Sequence, residues 1–171
     1  MAGYVIHLAV AEEYRRKYPE DIDNYDKFIE GVIFPDEAVD KALTHYGPKS
    51  SKVNLKAFFE DRDIKDSFNK GYFLHLVTDY LFYNKFLEYF SKDIYNDYDI
   101  LNKALIERFK VIVLEKVKDK VFFAEGSTKL LNLDKTIKFI ESTATYKLCD
   151  IKAAVLNNDE YWLTIRQLMH K

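Results

Sequence analysis

Five residues in the first half of the chain carry side chains that bind transition metals: His7, Asp36, His45, His75 and Asp79. Three of the four histidines fall in that half, each in or beside an apolar, helix-like stretch where an imidazole is hard to explain as solvent decoration. His75 and Asp79 stand four apart, so on a helix they lie one above the other on the same face and can grip one cation. Imidazole nitrogens with carboxylates make a borderline donor set that suits zinc, with manganese or iron also accommodated. Five protein ligands exceed what one closed tetrahedral zinc takes. Either two ions share a bridging carboxylate, or some of the five only orient the ligands. Asp79 is the natural bridge, because its helix already supplies His75. Each residue also has a purely structural reading: His7 as an interfacial histidine, His45 before Tyr46-Gly47-Pro48 as a turn residue, Asp36 after Pro35 as a turn or capping residue.

The elements that must position these side chains read as helices. Tyr4 to about Tyr18 opens the chain and stops before Pro19. Asp23 or Asn24 caps a second helix, whose Tyr25, Phe28, Ile29, Val32 and Ile33 repeat as a buried stripe. Pro35 is expected to end it, since the residue before a proline is pushed out of the helical region. Asp36 to Ser51 then reads as a long loop with a short turn of helix, of the kind that often carries function. A short helix over Asn54 to Arg62 precedes a long one from Ile64 to about Phe90. Gly71 interrupts this long pattern at a cost of about 1 kcal/mol against alanine, which makes sense if a neighbouring backbone approaches closely there. Polar residues from Ser91 to Asp99 separate it from helices at Ile100 to Phe123, Asp134 to Leu148 and Asp159 to His170. No alternation of apolar and polar residues argues for a strand. With no repeat and no Pro/Gly linker, residues 1–171 read as one all-α helical bundle.

Composition narrows the function classes. At 171 residues and 48% hydrophobic, the chain can bury a core as a single domain. Lys and Arg number 26 against 28 Asp and Glu, for a net charge of -2, so no basic field recruits nucleic acid. Cys149 is the sole cysteine; it admits no intrachain disulfide and fits a reducing compartment, where it reads as a small buried hydrophobe on a helix. Charged residues from Glu12 to Lys17 break any apolar signal region, and no apolar run nears the roughly 20 residues that span a bilayer. The expectation is a cytoplasmic protein.

The ordered set His7, then Phe28 to Pro35-Asp36, then Thr44-His45-Tyr46, then Gly71 to Asp79 resembles the zinc-dependent phospholipase C family, related to the single-strand-specific zinc nucleases. The short bacterial intracellular branch is the nearest in pattern, and the resemblance covers residues 3 to 85. It implies a helical bundle of that type holding one or two zinc ions, with hydrolysis of phosphoric mono- or diesters by water activated there. By position it implies Asp36, His45, His75 and Asp79 at one metal, His7 with bridging Asp79 at a second, and Asp36 as the residue steering the water as general base. The implied substrate is a small phosphorylated molecule or a lipid headgroup. The pattern departs from the family in two ways. Secreted family members use a processed N-terminal tryptophan as ligand, whereas this chain begins Met1-Ala2-Gly3 and its tryptophan is Trp162. A third zinc needs later histidines, and only His170, a solvated tail residue, follows His75. A second reading is therefore a non-catalytic helical module with a structural or vestigial metal site. An HD-type phosphohydrolase is disfavoured because no adjacent His-Asp pair occurs.

Overall fold

The structure is a computed structural model that describes residues 2–171. Among the described residues the regular secondary structure is all helical apart from one isolated bridge. The α-helices are α1 (Tyr4–Lys17), α2 (Tyr25–Glu37), α3 (Lys41–His45), α4 (Leu55–Asp61), α5 (Ser67–Leu81), α6 (Asp93–Phe109), α7 (Leu133–Thr143) and α8 (Leu148–Leu156). Local chemistry starts many of them. Asn24, Asp40, Asn54, Asp66 and Asn132 each accept a backbone N–H from the first turn of α2, α3, α4, α5 and α7, satisfying a donor that the helix itself leaves orphaned.

Two helices form the centre. α1 is buried on all sides from Tyr4 to Glu12, and α5 from Gly71 to Leu81. Such all-round burial marks helices enclosed by neighbours: α1 packs against α2, α5, α6 and α7, while α5 packs against α2, α4 and α8. The α2–α5 crossing is the most intimate. A Cβ on Gly71 would stand 1.9 Å from the Phe28 carbonyl oxygen, and one on Gly31 1.9 Å from that of Phe68. Backbone therefore meets backbone, and the glycine in the middle of α5 has its physical reason.

Several boundaries differ from the sequence expectation. α2 does not end at Pro35 but runs to Glu37. Proline restricts the residue before it and withholds one N–H, yet the last turn survives because neighbours take its free carbonyls. Thr44 Oγ1 donates to Pro35 O at 2.9 Å and Tyr4 Oη to Asp36 O at 3.3 Å. The expected loop after Asp36 contains α3 and a 3₁₀ turn over Ser50–Lys52. The long helix stops at Leu81 and passes into a π-helical turn, Phe82–Phe86.

α6 begins at Asp93, inside the stretch read as a linker, and ends at Lys110 in a left-handed conformation, φ 54°, rather than at Phe123. Residues 111–132 hold a 3₁₀ helix, Glu115–Lys120, and are otherwise irregular. They are nonetheless fixed, because buried Asp97 accepts the backbone N–H groups of Lys129, Leu130 and Leu131 at 2.7–2.9 Å. α7 stops at Thr143, and α8 is a helix that periodicity does not separate; Cys149 on it is exposed, not buried. The tail expected as a helix from Asp159 to His170 has only a 3₁₀ turn, Glu160–Trp162, and no further regular structure before the bridge at His170. Tertiary bonds outcompete the helix there: Tyr80 Oη donates to the Tyr161 and Thr164 carbonyls, Arg166 N donates to Asn84 Oδ1, and Phe90 pairs with His170. His170 is exposed, as a solvated tail residue is, but its backbone is tied into a bridge with Phe90 and no helix ends there. No helix among the described residues is long and apolar enough to cross a membrane.

Candidate metal centre

The five residues selected from the sequence arrive from four helices: His7 from α1, Asp36 from α2, His45 from α3, His75 and Asp79 from α5. All are buried, between 0% and 5% exposed. Asp36, His45, His75 and Asp79 each offer a ligand atom within 4.8 Å of every other. His45 Nε2 and His75 Nε2 both lie 3.2 Å from Asp79 Oδ2, and 3.5 and 3.6 Å from Asp36 Oδ1. The two Nε2 atoms are 3.3 Å apart.

The backs of the imidazoles explain why these atoms converge. His45 Nδ1 is 2.9 Å from the Lys41 carbonyl and His75 Nδ1 is 2.6 Å from the Val32 carbonyl. A carbonyl only accepts, so each Nδ1 carries the proton and each Nε2, in the neutral ring, turns a lone pair inward. Two imidazole lone pairs and two carboxylates then face one point with no donor among them. That arrangement repels itself unless a cation or protons fill it, and it is the outer support that metal-ligating histidines generally have. Asp36 Oδ1 and Oδ2 and Asp79 Oδ2 are buried without a hydrogen-bond partner, as carboxylates awaiting a cation are. The chain thus holds a buried cluster with the donors and spacing to bind a metal ion.

His7 stands beside this group. Its ring stacks on His75 with centroids 3.7 Å apart and planes 5° from parallel. Its Nε2 is 3.1 Å from Asp79 Oδ1 and 4.0 Å from Asp36 Oδ2, and neither ring nitrogen has a well-formed hydrogen bond. Asp79 therefore turns Oδ2 to His45 and His75 and Oδ1 to His7, the posture of a bridging carboxylate. Oδ1 also accepts the backbone N–H of Ala2 at 3.0 Å.

Protons and charges are strongly coupled. Burial pushes the Asp36 and Asp79 carboxyls up, but the imidazoles around them outweigh it and hold both well below the usual range. Burial pushes His75 down, yet Asp36 and Asp79 outweigh that and raise it to about 9. His45 is also raised against its burial by the same two carboxylates. His7 is lowered, first by burial and then by the neighbouring His75. Without a cation, the buried negative charge is thus offset by a proton on His75, and the same two carboxylates favour the charged form of His45.

Several residues that build the centre carry no signal in the sequence. Val32 and Lys41 contribute only carbonyls, and Ala2 only an N–H. Thr44 ties α2 to α3 through Pro35 O, while Tyr72 Oη donates to Thr44 O at 2.7 Å. Backbone atoms have no residue signature, so only the helix crossing reveals them.

On one side of the cluster opens a cavity of about 660 Å³. Asp36 is the only one of the five cluster residues lining it, with Lys41, Lys120, Tyr4, Tyr98 and Asn102 among the others. Lys41 Nζ is 3.7 Å from Asp36 Oδ1. The Tyr4 hydroxyl is pushed up to about 12, by burial and then by Asp36, Glu37 and Asp119, and remains a donor at neutral pH. Comparisons with family models, with curated proteins and with solved structures each returned no match.

Proposed function

We propose that the chain is a metal-dependent hydrolase of phosphoric esters, its four-residue cluster holding zinc and His7 completing a second position with bridging Asp79. The observation that carries this reading is the junction at Asp36: one buried carboxylate belongs both to the ligand cluster and to the wall of a cavity that also presents Lys41 and Lys120. Two nitrogens and two oxygens in tight convergence suit tetrahedral zinc, with manganese or iron as competitors. A divalent ion supplies Lewis acidity toward a phosphoryl oxygen and toward water. The chain's own groups would do the rest. Lys41 and Lys120 neutralise phosphate oxygens, Tyr4 steadies the wall by donating to the Asp36 carbonyl, and Asp36, ionised at neutral pH, orients the attacking water and accepts its proton. The zinc-dependent phospholipase C resemblance of residues 3 to 85 points the same way, and a small phosphorylated molecule or lipid headgroup is the substrate it suggests.

A second reading, a non-catalytic module with a structural ion, draws on the near-complete burial of all four ligands, since structural zinc sites are closed by protein donors. Metal content and hydrolysis of a nitrophenyl phosphoryl ester separate the two. Tightly bound zinc, with hydrolysis lost in Asp36→Ala and His75→Ala, supports the hydrolase. Stoichiometric metal without hydrolysis supports the structural module, and a chain that takes up no metal on reconstitution overturns both.

A further inference from the structure

A second cavity, of about 170 Å³, lies between the Lys49–Lys52 segment, Tyr83 of the π-helical turn and the C-terminal segment around Arg166. Lys49, Lys52, Arg166 and His170 line it, together with Tyr83 and Tyr95, and no acidic residue does. Among the described residues, none of those four basic side chains pairs with a carboxylate, although acids outnumber bases 28 to 26 in the chain. Two lysines, an arginine and an imidazole thus converge with no carboxylate to offset their mutual repulsion.

Arg166 is the fixed point of the group. Its Nη2 donates to the Tyr83 carbonyl at 2.7 Å and to that of Leu87, and its backbone N donates to Asn84 Oδ1 at 2.7 Å. Its Nε is a buried donor without an acceptor. The guanidinium is therefore held by backbone, while Lys49 is exposed and Lys52 partly exposed at the ends of the Ser50–Lys52 3₁₀ turn.

Positive charge without a carboxylate excludes a cation as occupant. A dianion matches the charge better than a carboxylate, and an arginine flanked by lysines is the recurrent way of holding phosphoryl oxygens. The volume, equivalent to roughly six waters at about 30 Å³ each, admits one phosphoryl group rather than a polymer. We propose that this cavity binds the phosphoryl group of a small phosphorylated ligand through Lys49, Lys52 and Arg166. Such binding is independent of hydrolysis at the metal centre, whose ligands are other residues.

The test is titration calorimetry of the metal-loaded full chain with inorganic phosphate and with glycerol phosphate at low salt. Lys49→Ala/Lys52→Ala removes two solvent-side lysines that make no ion pair, so folding is retained. The expected result is phosphate affinity at least 10-fold weaker in this double variant, and unchanged when the wild-type chain is stripped of metal by chelation. Glycerol phosphate binding more tightly than phosphate identifies the source as a larger ligand, and equal affinity identifies free phosphate; either supports the site. Wild-type affinity in the double variant, binding that disappears with the metal, or no phosphate heat at all would each overturn it.

Discussion

At the scale of single residues, His75 is the most informative. Its raised value, about 9 against an ordinary 6.5, means that in the metal-free chain its charged form stabilises the fold. That contribution is complete below about pH 6.5 and fades as the pH climbs through 9. His45 has the same sign, while lowered His7 opposes both below pH 6.5. The depressed Asp36 and Asp79 contribute above the ordinary carboxylate range, and that part is lost on acidification. We expect the urea midpoint of the chelated chain to fall between pH 6.5 and 9, and the metal-loaded chain to lack this fall because the cation replaces the protons. A flat profile for the chelated chain would contradict the coupling. Asp97 acts by a different route. Removing its carboxylate in Asp97→Ala leaves three backbone N–H groups without acceptors, at about 1–3 kcal/mol for each that stays buried. A loss of roughly 3 kcal/mol in chemical denaturation is expected, with metal content unchanged.

Among the elements, the α2–α5 crossing sets the geometry of the metal centre. The Val32 carbonyl of α2 orients the His75 ring of α5 at 2.6 Å, and Asp36 is one turn further along α2. Gly71→Ala would drive a methyl group to 1.9 Å from the Phe28 carbonyl oxygen, so the two helices must part. Overpacking of this kind costs about 1–3 kcal/mol or more. The expected outcome is a loss of at least that size, together with weaker metal binding in competition with a chelator, since the ligands ride on the separated helices. Gly71→Ala with wild-type metal affinity would show that the crossing does not control the site. The turn after Pro35 matters similarly. Because α2 continues to Glu37, the Asp36 side chain is carried on a rigid helix into the cluster instead of on a loop.

For the whole molecule, the prediction is linkage between metal and stability. An ion bound only by the folded chain at 100 times its dissociation constant adds about 2.7 kcal/mol, which at this size corresponds to a rise in Tm of roughly 5–11 °C. Chelation should reverse it, and His75→Ala should abolish the response to added zinc in calorimetry. The helical class is legible in the chain alone, because apolar spacing and Asn or Asp caps act within a few residues of one another. So are His7, Asp36, His45, His75 and Asp79 as candidates, because an imidazole or carboxylate in an apolar stretch demands a partner wherever the chain folds. The ends of α2, α5, α6 and the tail are not legible there. The end of α2 depends on carbonyls taken by Thr44 and Tyr4, and the course of the tail on groups taken by Tyr80 and Asn84. Equally hidden are the carbonyls of Val32 and Lys41 that aim the imidazoles, and the meeting of Lys49 and Lys52 with Arg166. Such contacts join positions far apart in the chain or involve backbone atoms common to every residue, so they come into being only when the helices pack.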